Sequence, residues 1–559
     1  MSGMKDLKQK LGDISAGLVL SFALSFMLCV FAPYELFLTN QGEFWFGADT
    51  MMLPVILCFV LMLFVLSLFC AVLSCVSRVA YKILLAVYFA VFVLMYVQGN
   101  FLVSGLPALD GTQHDWSAPS AERVKSVVAV ALCAALSAAL LILLKNGLFS
   151  KVVMYVGGGV SLMLVFTLVT LVLTTPMVDK SQKLKVYSNG EFEYSSEENF
   201  IVFVLDALDA EAFEEAMKRN PEYSDTFDDF TYYNDTLAAY PFTMHSVPMI
   251  LTGAWHENDR TFDEYLQNGL DSSPLIKKLE AEDYRIGIYE PGVLSIDSKN
   301  EGRFENLIAD EDTYSSVWSF AGVLAKMTGL KYAPWDLKQF CYDVSEYSES
   351  IKIGKNEDGE GHFGWSNKDF YDSLEEEGRV KKTDSKTFRY IHLEGAHVPF
   401  KYDKDMNVTD GGTYEDNVDA CLTICDRYIK QLKAAGVYDN SVIVILADHG
   451  FAAEDKQHLL EDRMNPAMLI KGRGERRESM KISSAPVSYD ELAGAFALLC
   501  EGKGADEIFA YKDGDVRERR FIKYYYTCED DMQEFRVTGT ARDLDGMFPT
   551  GVYYKLNEQ

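Results

Sequence analysis

Five long apolar stretches stand out in the first third of the chain. They cover approximately residues 14–34, 51–76, 79–99, 126–146 and 151–175. Each reaches about 20 residues, which is enough for a helix to cross the hydrocarbon layer of a bilayer. One such stretch alone also fits a buried core helix, and a cleavable signal peptide has a single short apolar core. Five stretches that are almost free of charged residues predict a transmembrane domain with five spans over residues 1–178.

The loops between these stretches predict their orientation, because cytoplasmic loops are enriched in Lys and Arg. The loop at 35–50 has neither residue, and the loop at 100–125 is mixed. Basic residues precede the first stretch and flank the turns after the second and the fourth: Lys5, Lys8, Lys10, Arg78, Lys82, Lys145 and Lys151. We therefore expect a cytoplasmic N-terminus. An odd number of spans then places everything after about residue 176 outside the cytoplasm.

The second part of the chain is polar and alternates short apolar runs with helical patterns. Residues 179–198 predict a linker, and residues 199–559 predict an extracytoplasmic domain. Buried strands are predicted from the apolar runs at 199–205, 387–393 and 441–447, with helical stretches at 210–219 and about 415–435. This alternation is typical of an α/β domain with a mostly parallel central sheet. Ligands of such domains gather at the carboxyl ends of the strands.

The formal net charge of −30 lies almost wholly after residue 178. Phosphate backbones attract clusters of Lys and Arg, so an acidic surface argues against nucleic acid as a partner. It argues equally against simple adhesion to anionic lipid.

Three side chains that commonly bind metals follow the predicted strands directly. Asp206 follows the first strand, and Asp448 and His449 follow the third. An Asp after a strand is by itself often a helix cap or turn former. Gly450 permits a tight turn that lets Asp448 and His449 face one point. Carboxylate and imidazole groups together suit zinc or manganese, so we expect a divalent metal site at this edge of the sheet.

The order of these residues resembles that of a known family. The strand that ends in Asp206 is followed by the stretch TMHSVPMILTG, then by His397 in HLEGAHVPF, and then by ADHG with Asp448 and His449. The chain thus resembles the sulfatase-like branch of the alkaline phosphatase superfamily. With five predicted spans, it is most similar to the membrane phosphotransferases of that branch: lipoteichoic acid synthases, phosphoglycerol transferases and phosphoethanolamine transferases.

The resemblance singles out Thr243 as the nucleophile. Sulfatases carry a Cys or Ser, in a C/S-x-P-x-R motif, ten residues before the Gly of a Leu-Thr-Gly. Counting back from Gly253 leads to Thr243, and neither the Pro nor the Arg of the motif follows it. No formylglycine is therefore expected. The transferase branch uses an unmodified Thr, and the resemblance implies that Thr243 is also a metal ligand. The alternative interpretation of Thr243 is a residue whose hydroxyl caps a helix.

Three histidines are further candidates for the site, and a fourth is expected to be structural. His397 matches the family's H-x-P segment, which implies that it contacts the substrate phosphate or protonates the leaving group. His458 lies where related sulfatases often carry another His, and His245 lies two residues after Thr243. Both are candidate substrate contacts. We expect His392, inside a strand, to be structural.

The chain also departs from the family pattern. The transferases usually carry Glu at the first metal-ligand position, where Asp206 stands here. Sulfatases often have a second Asp beside it, where this chain has Ala207. Glu290 and Arg303 lie in about the region where the family holds glycerol phosphate, without a firm match.

The resemblance implies metal-dependent transfer of phosphoglycerol or phosphoethanolamine through a phospho-threonine. The donor would be a membrane phospholipid, and the acceptor an envelope lipid, glycan or polymer. The alternative is a membrane-anchored phosphodiesterase or sulfatase-type hydrolase that uses the same site with water. A third interpretation is an inactive lipid-binding envelope protein. The residues leave open the head group, the acceptor, the choice between manganese and zinc, and the oligomeric state.

Overall fold

The computed structural model describes residues 2–41, 44, 46–104, 106, 116–144, 147–177, 183–290, 292–294, 296–309, 316–342, 361–376, 379–409, 411–451, 461–525 and 528–555. Internal contacts divide the chain into two units. The helical unit comprises Met1–Ser181 and Glu311–Gly354, and the α/β unit comprises Gln182–Asp310 and Lys355–Gln559. The sequence-based boundaries put residues 311–354 in the domain 199–559, whereas their contacts group them with the helical unit.

The helical unit begins with α1 (Ser2–Phe26), which continues through a π-helical turn (Met27–Phe31) into α2 (Ala32–Thr39). The next helices are α3 (Met52–Val76), α4 (Arg78–Phe101), α5 (Ala121–Leu143) and α6 (Leu148–Thr174). Among the described residues, five helical segments are long and apolar enough to cross a membrane: Gly12–Thr39 and α3 to α6. The predicted five apolar helices are thus confirmed.

The remaining helices are α7 (Ala210–Arg219), α8 (Ser224–Phe227), α9 (Thr243–Thr252), α10 (Phe262–Ser272), α11 (Pro274–Ala281), α12 (Val317–Tyr332), α13 (Trp335–Lys338), α14 (Asn367–Glu375), α15 (Tyr414–Ala434) and α16 (Leu492–Cys500). Of these, α12 and α13 belong to the helical unit. The others belong to the α/β unit.

The strands of the α/β unit are β1 (Lys185–Val186), β2 (Glu193–Ser195), β3 (Asn199–Leu205), β4 (Thr231–Tyr233), β5 (Thr236–Leu237), β6 (Arg285–Tyr289), β7 (Leu307–Ile308), β8 (Lys381–Thr383), β9 (Thr387–Leu393), β10 (Ser441–Leu446), β11 (Met468–Lys471), β12 (Lys481–Ser483), β13 (Val487–Ser488), β14 (Glu518–Tyr525), β15 (Cys528–Thr538) and β16 (Met547–Lys555). Strands β1 and β2 fall within residues 179–198, which the sequence predicts as a linker. From residue 183 onward this region is therefore part of the α/β unit.

The central sheet of the described part of the α/β unit has seven strands in the order β12-β4-β11-β10-β3-β9-β6. Strand β11 runs antiparallel to both of its neighbours, and the other pairs are parallel. Every residue of β3, β9 and β10 is buried, as expected for parallel strands covered on both faces. The mostly parallel sheet is confirmed, and the carboxyl ends of β10, β3, β9 and β6 meet at one edge.

Candidate active site

The side chains of Asp206, Asp448 and His449 converge at the carboxyl edge of the sheet. The parallel pairing of β10 with β3 sets Leu446 opposite Val204, so the residues that follow the two strands are neighbours. All three side chains are buried, and one ligand atom of each lies within 4.8 Å of the others. The predicted cluster of metal-binding side chains is present.

The turn after β3 holds Asp206 in a tightly packed position. Ala207 adopts a left-handed conformation with a φ of 58°, which an alanine rarely does. Gly395, from the loop after β9, has the same φ, and a Cβ at that residue would lie 2.3 Å from the backbone nitrogen of Asp206. The backbone N–H of Ala396 donates to the Asp206 carbonyl at 2.8 Å. The backbone of Asp206 is thus fixed by the neighbouring strand's loop.

The two carboxylates each leave one buried oxygen without a hydrogen-bond partner among the described residues, Oδ1 of Asp206 and Oδ2 of Asp448. The other oxygen of Asp448, Oδ1, accepts hydrogen bonds from the backbone N–H groups of Ala207 and His449, at 3.2 and 2.9 Å. Nε2 of His449 lies 3.6 Å from Asp206 Oδ1 and 3.5 Å from Asp448 Oδ2. A buried unpartnered carboxylate oxygen is costly, so this arrangement fits a cation between the three atoms.

His449 has the tautomer and charge that a metal ligand requires. Its Nδ1 donates to the carbonyl of Gly450 at 2.7 Å, because a carbonyl can only accept. Burial lowers the pKa of His449 to about 4, so the ring is neutral at physiological pH. Its Nε2 therefore carries the lone pair and faces the two carboxylates.

Burial raises the pKa of Asp206 well above its usual value, and the nearby Asp448 carboxylate adds to this increase. The two carboxylates thus repel each other in a dry environment. A divalent cation held between them would remove that repulsion.

Thr243 is the first residue of α9, and the position that caps this helix is Phe242. The hydroxyl of Thr243 therefore does not cap the helix. Its Oγ1 instead donates to Asp206 Oδ2 at 3.3 Å and lies 3.4 Å from His449 Nε2. The hydroxyl thus lies beside Asp206 and His449 at the N-terminus of a helix, where the helix dipole favours an anion.

Arg463 is a positive charge at the site that the sequence analysis missed. Its guanidinium carbon lies 4.8 Å from the centre of the Phe242 ring, next to Thr243. Its carbonyl accepts from the N–H of Gly450 at 2.8 Å, which ties it to the turn after β10. The positive charge of Arg463 lowers the pKa of Asp206 and so partly offsets the increase that burial causes. No motif or spacing marks this residue in the sequence.

The predicted histidines occupy different places. His397 lies in the loop after β9, and its ring centre is 5.8 Å from that of Trp365, which lies at the same distance from His392. His458 lies outside the described residues. His245 is buried, with Nδ1 2.8 Å from the Tyr524 hydroxyl and Nε2 3.0 Å from His256 Nδ1. Both of its ring nitrogens have internal partners, so the structure gives it a packing position rather than the predicted substrate contact.

His392, expected to be structural, lies beside the carboxylate of Asp206. Its Nε2 is 3.9 Å from Asp206 Oδ2, and its Nδ1 is 3.6 Å from Glu290 Oε1. The Glu290 carboxylate is held by the backbone N–H groups of residues 292–294 at 2.7–3.0 Å. Arg303 instead pairs with Glu280 and with Asp271. Of the two residues without a firm family match, Glu290 belongs to the site's surroundings and Arg303 forms ion pairs elsewhere.

The parallel sheet, the metal-binding cluster at its carboxyl edge and the hydroxyl at the start of α9 define a sulfatase-like domain of the alkaline phosphatase superfamily. The sequence model of the sulfatase family matches residues 198–499, and the chain belongs to this family. The match spans more than half of the chain and includes every candidate residue named above. Enzymes of this superfamily are hydrolases or transferases.

Solved structures that match this chain have low sequence identity to it. The lipoteichoic acid synthase LtaP from Listeria monocytogenes is 13% identical, with a TM-score of 0.34, over 68% of this chain and 91% of that one. An alkaline phosphatase superfamily protein from Vibrio parahaemolyticus is 13% identical, with a TM-score of 0.36, over 67% and 86%. The phosphonate monoester hydrolase SpPMH from Silicibacter pomeroyi is 14% identical, with a TM-score of 0.34, over 63% and 88%. No curated protein matches the chain in a sequence search.

Proposed function

We propose that this protein transfers a phosphorylated head group, phosphoglycerol or phosphoethanolamine, from a membrane phospholipid to a hydroxyl of an envelope lipid, glycan or polymer. The observation that carries the proposal is the position of Thr243, whose Oγ1 lies 3.3 Å from Asp206 Oδ2 and 3.4 Å from His449 Nε2. An unmodified Thr without the C/S-x-P-x-R motif favours phosphoryl transfer over sulfate ester hydrolysis.

The metal ligands in this proposal are Asp206, Asp448, His449 and the hydroxyl of Thr243. Two carboxylates, one imidazole and one hydroxyl suit Mn²⁺ or Zn²⁺. When bound, such an ion would lower the pKa of the Thr243 hydroxyl and neutralise charge on the phosphate. The helix N-terminus beside Thr243 and the nearby Arg463 provide further positive potential for a phosphate group.

The reaction proceeds in two displacements at phosphorus. The Thr243 hydroxyl passes its proton to Asp206 Oδ2, to which it donates a hydrogen bond, and its oxygen forms a bond to phosphorus. The bond from phosphorus to the diacylglycerol oxygen breaks, and diacylglycerol leaves with a proton that His397 supplies. The acceptor hydroxyl then attacks the phospho-threonine and gives its proton to His397. The bond between phosphorus and the Thr243 oxygen breaks, and Asp206 returns the proton that restores the Thr243 hydroxyl. Positioning and charge neutralisation account for most of the catalysis, as is general for phosphoryl transfer.

The membrane helices support a lipid donor. Five apolar segments of 23 to 28 residues anchor the chain in a bilayer. With the N-terminus cytoplasmic, as the Lys and Arg distribution predicts, the α/β unit lies on the outer side of the cell membrane. Lipid donors and envelope acceptors are both available there.

The test uses the full-length protein in proteoliposomes with Mn²⁺ or Zn²⁺ and head-group-labelled phosphatidylglycerol or phosphatidylethanolamine. Diacylglycerol release and labelling of the protein are measured for the native chain, Thr243→Ala and Ser246→Ala. Ser246 is the matched control, since its hydroxyl is on the same helix and donates to the Tyr240 carbonyl instead of the cluster. We expect release and labelling in the native chain and in Ser246→Ala, and neither in Thr243→Ala.

Absence of release from any phospholipid would overturn the proposal. Release that depends on Thr243, but yields only the free head group phosphate in the presence of candidate acceptors, would favour a phosphodiesterase. Hydrolysis of an aryl sulfate faster than of an aryl phosphate diester would favour a sulfatase.

A further inference from the structure

Residues 316–342 form an insertion that leaves the α/β unit and packs within the helical unit. Its main helix, α12, buries Phe320, Val323 and Leu324, with Met327 partly buried, which is the spacing of one helix face. This face packs against apolar side chains near the ends of α2 and α3, including Phe37, Phe46, Met51 and Val55. The ring of Phe46 meets that of Phe320 edge to face, with centroids 5.0 Å apart.

Polar contacts join the insertion to the first apolar span and to the start of α5. Lys331 Nζ lies 2.6 Å from both carboxylate oxygens of Glu35 in α2. The backbone N–H of Trp335 donates to Ser126 Oγ at 2.9 Å, and the same oxygen accepts from Gln98 Nε2 at 2.7 Å. These contacts fix the insertion to the first apolar span and to α5, whose Ser126 is in turn bonded to Gln98 of α4.

All of these partners lie at one end of the membrane helices. Glu35 is near the end of the first span, Met51 precedes α3, Gln98 is near the end of α4, and Ser126 is near the start of α5. Because successive spans alternate in direction, these positions are at the end opposite the N-terminus. The same end is where the chain leaves α6 for the α/β unit. The insertion therefore lies where the hydrocarbon layer gives way to water.

The insertion exposes three large apolar side chains, whereas two of its three Lys are not free at the surface, because Lys338 is buried and Lys331 pairs with Glu35. Trp318, Leu337 and Phe340 are 59%, 51% and 71% exposed. The segment 316–342 holds three Lys and a single acidic residue, Asp336, in a chain whose net charge is −30. Asp336 pairs with Arg123 at 2.8 Å. An exposed Trp together with bulky apolar side chains is characteristic of the interfacial layer of a membrane.

We propose that residues 316–342 are an interfacial membrane anchor, with Trp318, Leu337 and Phe340 inserted among the phospholipids of the outer leaflet. The occupant of this surface is the bilayer, because the insertion is fixed to the ends of helices whose own exposed side chains are largely apolar. Exposed apolar side chains of this size are otherwise costly in water. The anchor gives the α/β unit a second attachment to the membrane, in addition to the chain that follows α6.

Site-specific photo-crosslinking in native membranes tests this anchor. The photoreactive p-benzoylphenylalanine is introduced in place of Trp318, Phe340 or Ile482 in separate full-length proteins, and adducts are identified by mass spectrometry after irradiation. Ile482 is the matched control, since it is also 59% exposed but lies on edge strand β12 of the α/β unit. We expect phospholipid adducts at 318 and 340 and none at 482.

Three results would overturn the proposal: cross-links from 318 and 340 to a second copy of the chain, cross-links from them to its own α/β unit, or no lipid adduct at either position.

A second measurement needs no photoreactive residue. In proteoliposomes that contain brominated phospholipids, native fluorescence should be quenched more than that of Trp318→Phe, because bromine quenches a Trp at the depth of the lipid chains. Equal fractional quenching of the native protein and Trp318→Phe would contradict the insertion of Trp318 into the bilayer.

Discussion

The imidazole of His392 faces the carboxylate of Asp206, with 3.9 Å between Nε2 and Oδ2, and both side chains are fully buried. On its other side, His392 faces Glu290, whose carboxylate is anchored by backbone N–H groups. This row of buried side chains lies behind the carboxylate of Asp206, although neither ring nitrogen of His392 is within hydrogen-bond distance of a partner among the described residues. Groups that orient a metal ligand in this way commonly control the affinity of the site.

Replacing His392 by Leu should therefore weaken metal binding by about 10- to 100-fold while the fold is retained. Isothermal titration of Mn²⁺ and Zn²⁺ into the full-length protein measures the effect. Tyr390→Phe is the control, because Tyr390 is a buried neighbour on the same strand whose hydroxyl has no partner among the described residues. If both variants bind metal as the native protein does, His392 only fills space.

Glu290→Gln should weaken metal binding in the same direction, because it acts through His392. The double variant should then lose less affinity than the sum of the single losses, since the two residues form one row. Additive losses would show that the two residues act separately.

The sequence predicts the metal-binding cluster because its members directly follow apolar strands, and parallel strands bring their carboxyl ends to one edge. The same reasoning does not reveal His392, since alternation along β9 gives the face of a side chain and not its distance from Asp206. Arg463 is held near the site by a backbone hydrogen bond from Gly450, which the sequence does not indicate. The insertion was missed for another reason: the apolar pattern of α12 is the same whether it packs in an α/β core or against membrane helices.

The close approach of Gly395 to Asp206 predicts a large effect of a single methyl group. Gly395→Ala should destabilise the protein by more than about 4 kcal/mol, because its Cβ would overlap the backbone of Asp206. Gly436→Ala is the matched control: it has a similar φ of 68°, but the nearest atom is the flexible Nζ of Lys382 at 3.5 Å. The control should lose only about 1 kcal/mol from backbone strain. Thermal unfolding in detergent distinguishes the two, and equal losses would contradict the steric argument.

The buried pair His245 and His256 predicts a loss of stability in acid. Burial lowers the pKa of His256 below its ordinary value, so the folded protein binds fewer protons than the unfolded chain below about pH 6.5. The free energy of unfolding should therefore fall as the pH drops from about 7 to 5. His256→Asn should reduce this slope. Tyr524→Phe removes the hydroxyl partner of His245 without removing an imidazole, and should leave the slope unchanged.

Metal binding should stabilise the native chain measurably, because it relieves two buried carboxylates. At a free Mn²⁺ or Zn²⁺ concentration 100 times the Kd, the free energy of unfolding should rise by about 2.7 kcal/mol. Asp448→Asn should abolish this rise, since it removes one ligand oxygen and one of the two repelling charges. A metal-dependent increase in Tm that persists in Asp448→Asn would place the metal elsewhere.

Gly99 in α4 should be needed to hold the insertion against the membrane helices. A Cβ at this position would lie 2.2 Å from the ring of Tyr332, at the end of α12. Gly99→Ala should therefore displace Tyr332 and increase the rate of tryptic cleavage at the Lys residues of 316–342. Gly159→Ala in α6 is the control, because nothing lies within 4 Å of its added methyl group. Equal cleavage rates for the two variants would show that the docking of α12 does not depend on this close contact.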